Sequence, residues 1–158
     1  MVDRGDALTA LSGGSVGEAI RLTNLDGLSL YSDLIFLFNG LPNFDRPRAL
    51  KLADSCIGKA GVTRFALTLD LIDKFLARAA RAGLQGPPTT QAATGEALLL
   101  AKLAPHDAAA RAWATLAQEV TERTRHGKAV NLDPAALILD TQFKNWTFYT
   151  SDTGDEKT

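Results

Sequence analysis

The chain has 158 residues, 46% of them hydrophobic and 22% charged, a composition that fits a globular protein and excludes a wholly disordered tail. Seventeen Lys and Arg against eighteen Asp and Glu leave a formal charge of −1, which argues against a dedicated nucleic-acid or membrane-surface binder, whose affinity rests on excess cations. One cysteine, Cys56, excludes an internal disulfide, and with only two histidines beside it the common structural zinc sites are not available.

The chain opens on Met1-Val2-Asp3-Arg4-Gly5-Asp6, which lacks the apolar stretch of a signal peptide. No apolar run approaches the ~20 residues of a membrane span. A cytoplasmic location and no membrane partner are therefore expected. A short first helix is predicted from Asp6 to Leu11. After Ser12-Gly13-Gly14, the stretch Ser15-Val16-Gly17-Glu18 reads as a capping box: the serine oxygen accepts a backbone N–H three residues on, and Glu18 reaches back to the serine's own N–H. That helix is expected to run to Asn24.

From Leu28 to Phe38 the apolar residues Leu28, Tyr31, Leu34, Ile35 and Phe38 share a helical face, and Leu30 and Leu37 widen it, so this helix should be buried on more than one side. Asn39-Gly40-Leu41-Pro42 ends it, with Gly40 as a left-handed cap. Asp45 is the N-cap of the next helix, which carries Pro47 in its first turn and runs to about Ile57. Gly58 to Gly61 breaks the chain before a helix from Thr63 to Ala82, with a seam at Phe65, Leu69, Ile72, Phe75, Leu76 and Ala79. Arg78 and Arg81 then sit in the last turn, where cations suit the helix dipole, and Gly83 is the expected cap.

Gly86-Pro87-Pro88-Thr89-Thr90 is the clearest loop. A helix from Thr94 to Leu103 and another from Asp107 to His126 follow, the latter with Trp113, Leu116 and Val120 on one face and Arg123, Arg125 and His126 before Gly127. Asp133-Pro134 starts a last helix with Ala135, Leu139, Phe143 and Trp146 inward, and residues 151–158 form a polar, frayed tail. No segment alternates with period two. The expected fold is all-α, an array of seven or eight helices, with a division near Asn24-Leu25-Asp26-Gly27.

The chemistry-bearing residues are sparse. No phosphate-cradling Gly-x-x-x-x-Gly-Lys run occurs, since Gly58-Lys59 and Gly127-Lys128 lack both the upstream glycine and the following hydroxyl. Only His106 and His126 offer a base to a serine or cysteine nucleophile; His126 suits a helix C-terminus and His106 a loop, so both read as structural or solvated. Cys56 reads as a small buried thiol. Asp70 and Asp73, one turn apart with Lys74 beside them, read as a solvated face rather than a cation site. Arg46, Arg48 and Lys51 form a basic group that reads as surface, with contact to nucleic acid or an acidic partner as the functional alternative. Trp113 and Trp146 sit at core spacing. No catalytic, cofactor-binding or metal constellation emerges.

One stretch is more specific. Leu11-Ser12-Gly13-Gly14-Ser15-Val16-Gly17-Glu18-Ala19-Ile20 resembles the end of the AAA+ lid domain in bacterial DNA polymerase III clamp-loader subunits, where a Gly-Ser pair opens a helix. In the ATP-hydrolysing subunits that helix begins Gly-Ser-x-Arg, and the arginine is the sensor-2 residue. Here Gly17 occupies its position, preceded by Gly14 and Ser15, and this form is similar to the delta-prime type, the loader's stator. An arginine near a helix N-terminus opposes the dipole unless a phosphate lies in front of it. Asn131-Leu132-Asp133-Pro134-Ala135-Ala136-Leu137-Ile138-Leu139-Asp140 is similar to the final collar helix of delta-prime proteins.

The resemblance implies a lid remnant at residues 1–26, a helical collar domain at 27–150 and a tail at 151–158, the whole being the C-terminal part of a longer protein. It implies no cofactor in this part, with ATP bound only through an N-terminal domain or neighbouring subunits. The partners would be the other clamp-loader subunits, met through the collar; the sliding clamp and primed DNA would be met only by the whole assembly. The module itself would not be an enzyme. The alternative is a free-standing helical adaptor that binds a peptide or nucleic acid in a groove.

Overall fold

A computed structural model describes residues 2–40 and 45–129. Among them are seven helices and no strand: α1 (Arg4–Ser12), α2 (Val16–Asn24), α3 (Gly27–Asn39), α4 (Arg46–Asp54), α5 (Lys59–Gln85), α6 (Glu96–Leu103) and α7 (Asp107–Ala129). The all-helical expectation holds. The last helix read from Asp133, its residues Leu139, Phe143 and Trp146, and the tail lie outside the described residues.

The mast of the fold is α5, about 40 Å long at 1.5 Å per residue. It packs most extensively against α7 and also against α3 and α6, while α3 touches α2 and α6 and α1 rests on α2. One core joins them: Tyr31, Leu34 and Phe38 from α3, Ile72, Phe75 and Leu76 from α5, Leu99 and Leu100 from α6, and Trp113 from α7. Leu11 and Leu22 of the first two helices belong to the same cluster. The Phe38 and Phe75 rings stack at 4.7 Å, which fastens α3 to the mast. A smaller cluster of Cys56, Phe65 and Leu69 lies under the α4–α5 corner.

Several helix ends differ from those read in the sequence, and each difference has a local cause. The first helix starts two residues early because the Asp3 carboxylate accepts the backbone N–H of Gly5 at 2.8 Å and of Asp6 at 3.1 Å. Asp45 caps α4 as expected, accepting Arg48 N–H at 3.0 Å, but the helix ends at Asp54 rather than near Ile57. Gly40 is right-handed, with φ −72°, so the left-handed cap expected there does not form.

The largest corrections concern glycines read as breaks. Gly61 and Gly83 both lie inside α5, and the true C-cap is Gly86 at φ 86°. Gly83 is where α7 comes closest: a Cβ there would lie 2.6 Å from Ala110 Cβ and 2.9 Å from the His106 carbonyl oxygen. At Gly61 a Cβ would lie 2.3 Å from the carbonyl carbon of Cys56. Glycine at both positions serves close approach of another backbone rather than helix termination. Consequently Arg78 and Arg81 do not occupy the last turn of α5, and α7 likewise continues past Gly127.

Because the α5–α7 contact is already at van der Waals limits, Gly83→Leu is expected to destabilise the chain by about 1–3 kcal/mol, the usual cost of overpacking. A urea midpoint equal to that of the unsubstituted chain would show instead that α7 yields freely at this contact.

Candidate functional site

The turn before α2 is built from Gly13 and Gly14, both left-handed, and Ser15, whose Oγ accepts the Glu18 N–H at 3.3 Å. Half of the expected capping box therefore forms. The return bond does not: Ser15 N–H donates to the Ser12 carbonyl at 3.1 Å, while the Glu18 carboxylate turns to Arg21 at 3.4 Å and Lys74 at 3.6 Å. Two cations outcompete a neutral amide that already has a partner. Gly17 lies exposed in the first turn, and a Cβ there would meet nothing within 4 Å. Glycine at this position is not required by packing, so a longer side chain would fit. Val16 and Ile20, one turn apart beside it, are 74% and 54% exposed.

The other residues singled out in the sequence are dispersed. Asp70 pairs with Arg21 at 2.9 Å, which ties α2 to the mast, while Asp73 accepts the Thr121 hydroxyl of α7 at 2.7 Å. The two carboxylates thus serve different helix contacts. No group of three His, Cys, Asp or Glu side chains converges on a metal position among the described residues. His106 is the cap of α7: its Nδ1 accepts the Ala109 N–H at 3.2 Å, a role the loop reading missed. His126 lies exposed in the last turn of α7, near the C-terminal end at which its sequence reading placed it. The Cys56 thiol is buried, 3.6 Å from the Leu52 carbonyl and 3.9 Å from the Thr68 hydroxyl. Trp113 is buried as a core residue, and its indole N–H donates to the Leu103 carbonyl at 2.8 Å. Of the basic group, Arg48 pairs with Asp33 at 2.9 Å and lies over the Phe36 ring at 3.8 Å.

A buried polar centre went unread in the sequence. Glu96 at the head of α6 has no solvent exposure, and its carboxylate collects four donors. The Tyr31 hydroxyl of α3 donates to Oε2, Arg78 Nε donates to the same oxygen at 3.1 Å, and Arg78 Nη2 donates to Oε1 at 2.6 Å. The fourth donor is the Ala92 N–H at 3.1 Å, and Arg78 Nη2 also reaches the Thr90 carbonyl at 2.9 Å. Gln91 completes the fastening by accepting the Ala97 N–H at 3.0 Å. Three helices and the 86–95 connection therefore converge on one carboxylate. Burial, then the facing Glu96 charge, hold the Tyr31 phenol well above its ordinary pKa of 10.0. The arrangement fastens elements and offers no reacting group to solvent. Its sequence signal was a lone acidic residue heading the otherwise apolar run Ala97-Leu98-Leu99-Leu100-Ala101.

No family model, curated protein or solved structure matches the chain.

Removing one partner of a buried ion pair leaves the other charge unpaired, so Glu96→Ala or Arg78→Ala is expected to cost about 3–5 kcal/mol in urea unfolding. A loss comparable to that of an exposed ion pair would show that water reaches the site. For Tyr31 the folded pKa lies above the unfolded one, so its contribution is complete below about pH 10 and is lost as the pH rises beyond it. The melting temperature should therefore fall more steeply above pH 10 in the unsubstituted chain than in Tyr31→Phe; parallel curves would refute the role given to the phenol.

Proposed function

We propose that this chain is an assembly module of a bacterial DNA polymerase III clamp loader, of the delta-prime type. In this reading residues 1–26 end an AAA+ lid, and residues 27–150 form the collar that packs beside the collars of other subunits. The ring so formed holds the ATPase domains while the loader opens the sliding clamp and places it on primed DNA. The module's own part is burial of helix faces. Nucleotide chemistry belongs to an N-terminal domain or to neighbouring subunits.

The observation that carries the reading is the start of α2. Ser15 caps a helix whose first turn has Gly17 at the position of the sensor-2 arginine, with open space around it. The position can accommodate an arginine and lacks one, so this helix end presents no cation to a phosphate. It presents Val16 and Ile20 instead, side chains that lower their free energy by burial against another protein surface. Leu98, 80% exposed on α6, adds a second apolar contact point on another helix. The adjacent pair Val16 and Ile20, one turn apart and both exposed, is the apolar surface that supports an assembly role.

Mixing the chain with the remaining clamp-loader subunits should give co-elution in size-exclusion chromatography. The double substitution Val16→Glu with Ile20→Glu should weaken that association by about tenfold or more, since it buries unpaired charge, while leaving the melting temperature unchanged. A chain that stays monodisperse and shows no affinity for those subunits would overturn the reading.

A further inference from the structure

The corner made by α3, α4 and the start of α5 differs in character from the rest of the molecule. Residues 45–64 carry five Lys or Arg, at positions 46, 48, 51, 59 and 64, against two Asp, at 45 and 54, a local balance of +3 in a chain of −1. Four of the eight large apolar side chains exposed among the described residues sit in or beside this segment: Phe36 at 50%, Leu50 at 43%, Ile57 at 59% and Val62 at 66%. A groove of about 570 Å³ runs through the corner, with Arg48, Lys51, Arg64 and Asp33 on its walls and Leu37 and Leu52 among its apolar lining.

The anionic groups of the groove are already engaged. Asp33 is held by Arg48, and Asp45 caps the N-terminus of α4. The cations are not all so occupied. Lys51 has no ion-pair or hydrogen-bond partner among the described residues, and Arg64 donates only through Nε, to the neutral Ser55 hydroxyl at 2.8 Å. The corner thus combines uncompensated positive charge with solvated apolar surface. Its complement is a segment that carries carboxylates and aliphatic side chains together.

We propose that this corner docks an acidic, leucine-bearing peptide segment of a partner protein, with carboxylates on Lys51 and Arg64 and aliphatic side chains against the groove lining at Leu37 and Leu52. A nucleic-acid strand is the poorer complement. Single strands bind by stacking successive bases on several aromatic faces. Among the described residues the one exposed aromatic here, Phe36, already has a guanidinium over its ring at 3.8 Å, and a phosphate backbone would bring nothing apolar to the lining at Leu37 and Leu52. The inference does not rest on the clamp-loader reading, and its test uses none of the loader subunits.

The probe is a fluorescein-labelled peptide of about twelve residues, rich in Asp and Glu, with leucines one helical turn apart. Its anisotropy is titrated with the 158-residue chain, in parallel with a labelled oligothymidylate of equal length. The peptide should bind, and added salt should weaken it. Charge reversal with Lys51→Glu and Arg64→Glu should weaken it by about tenfold or more, because like charges then face each other. Lys51→Gln alone, at a side chain without a partner, should weaken it in part with little change in melting temperature, which separates docking from folding. Failure to bind with a Kd below about 1 mM would overturn the proposal. So would binding indifferent to both substitutions, or oligothymidylate binding as tightly as the peptide.

Discussion

The Glu96 carboxylate is the constraint around which the helices are arranged. Taking a carboxylate out of water costs several kcal/mol unless every lone pair is met, and here four donors from α3, α5 and the 86–95 connection meet it. The geometry that satisfies it is narrow. Tyr31 must come from one side, Arg78 from another, and residues 90–92 must turn back over the mast. Apolar burial of Leu99 and Leu100 is non-directional and constrains the position of α6 on α5 less tightly than directed hydrogen bonds do. The charged group requires one register, and the loop that would otherwise be the loosest part of the chain becomes part of the core.

Close packing does for the other side of α5 what the carboxylate does here. The mast meets α7 through small residues, with Gly83 directly under Ala110 and the chain at His106. Such an approach removes side-chain volume from the interface and lets Trp113 fill the space toward α6, its indole N–H bonded to the last turn there. The cap that starts α7 is a histidine placed by the same contact. Local termination signals and long-range packing are thus one feature in this region, and the glycine serves the packing.

With α5 held on both sides, the remaining surface divides by chemistry. The start of α2 is apolar and exposed, with an uncharged first turn at Gly17, whereas the α3–α4–α5 corner is basic and apolar. The even charge balance of the whole chain conceals this division. It arises because Arg46, Arg48, Lys51, Lys59 and Arg64 are close in sequence while the compensating carboxylates are spread elsewhere, several of them committed to inter-helix bonds such as Asp70 with Arg21. The chain thus carries two surfaces of different character on one helical array.

The amino-acid sequence by itself determined that the described part is all helical and where most helices lie, because apolar residues recur at helical spacing and Ser15 and Asp45 are strong N-caps. It also determined the core faces of α3, α5 and α7: Tyr31, Leu34, Phe75, Leu76 and Trp113 are buried as their spacing requires. Only the tertiary structure decided which glycines end helices. Gly86 is a cap, while Gly61 and Gly83 are contact points, and a one-dimensional pattern cannot distinguish absence of a side chain for φ from absence for space. It also decided the roles of the charges. Arg78 looked like a dipole partner and Glu96 carried no reading at all, since 18 positions separate them and Tyr31 lies 65 positions from Glu96. Periodicity carries information about neighbours on one helix; a buried polar centre is assembled across helices, and its members become visible only when the chain has folded.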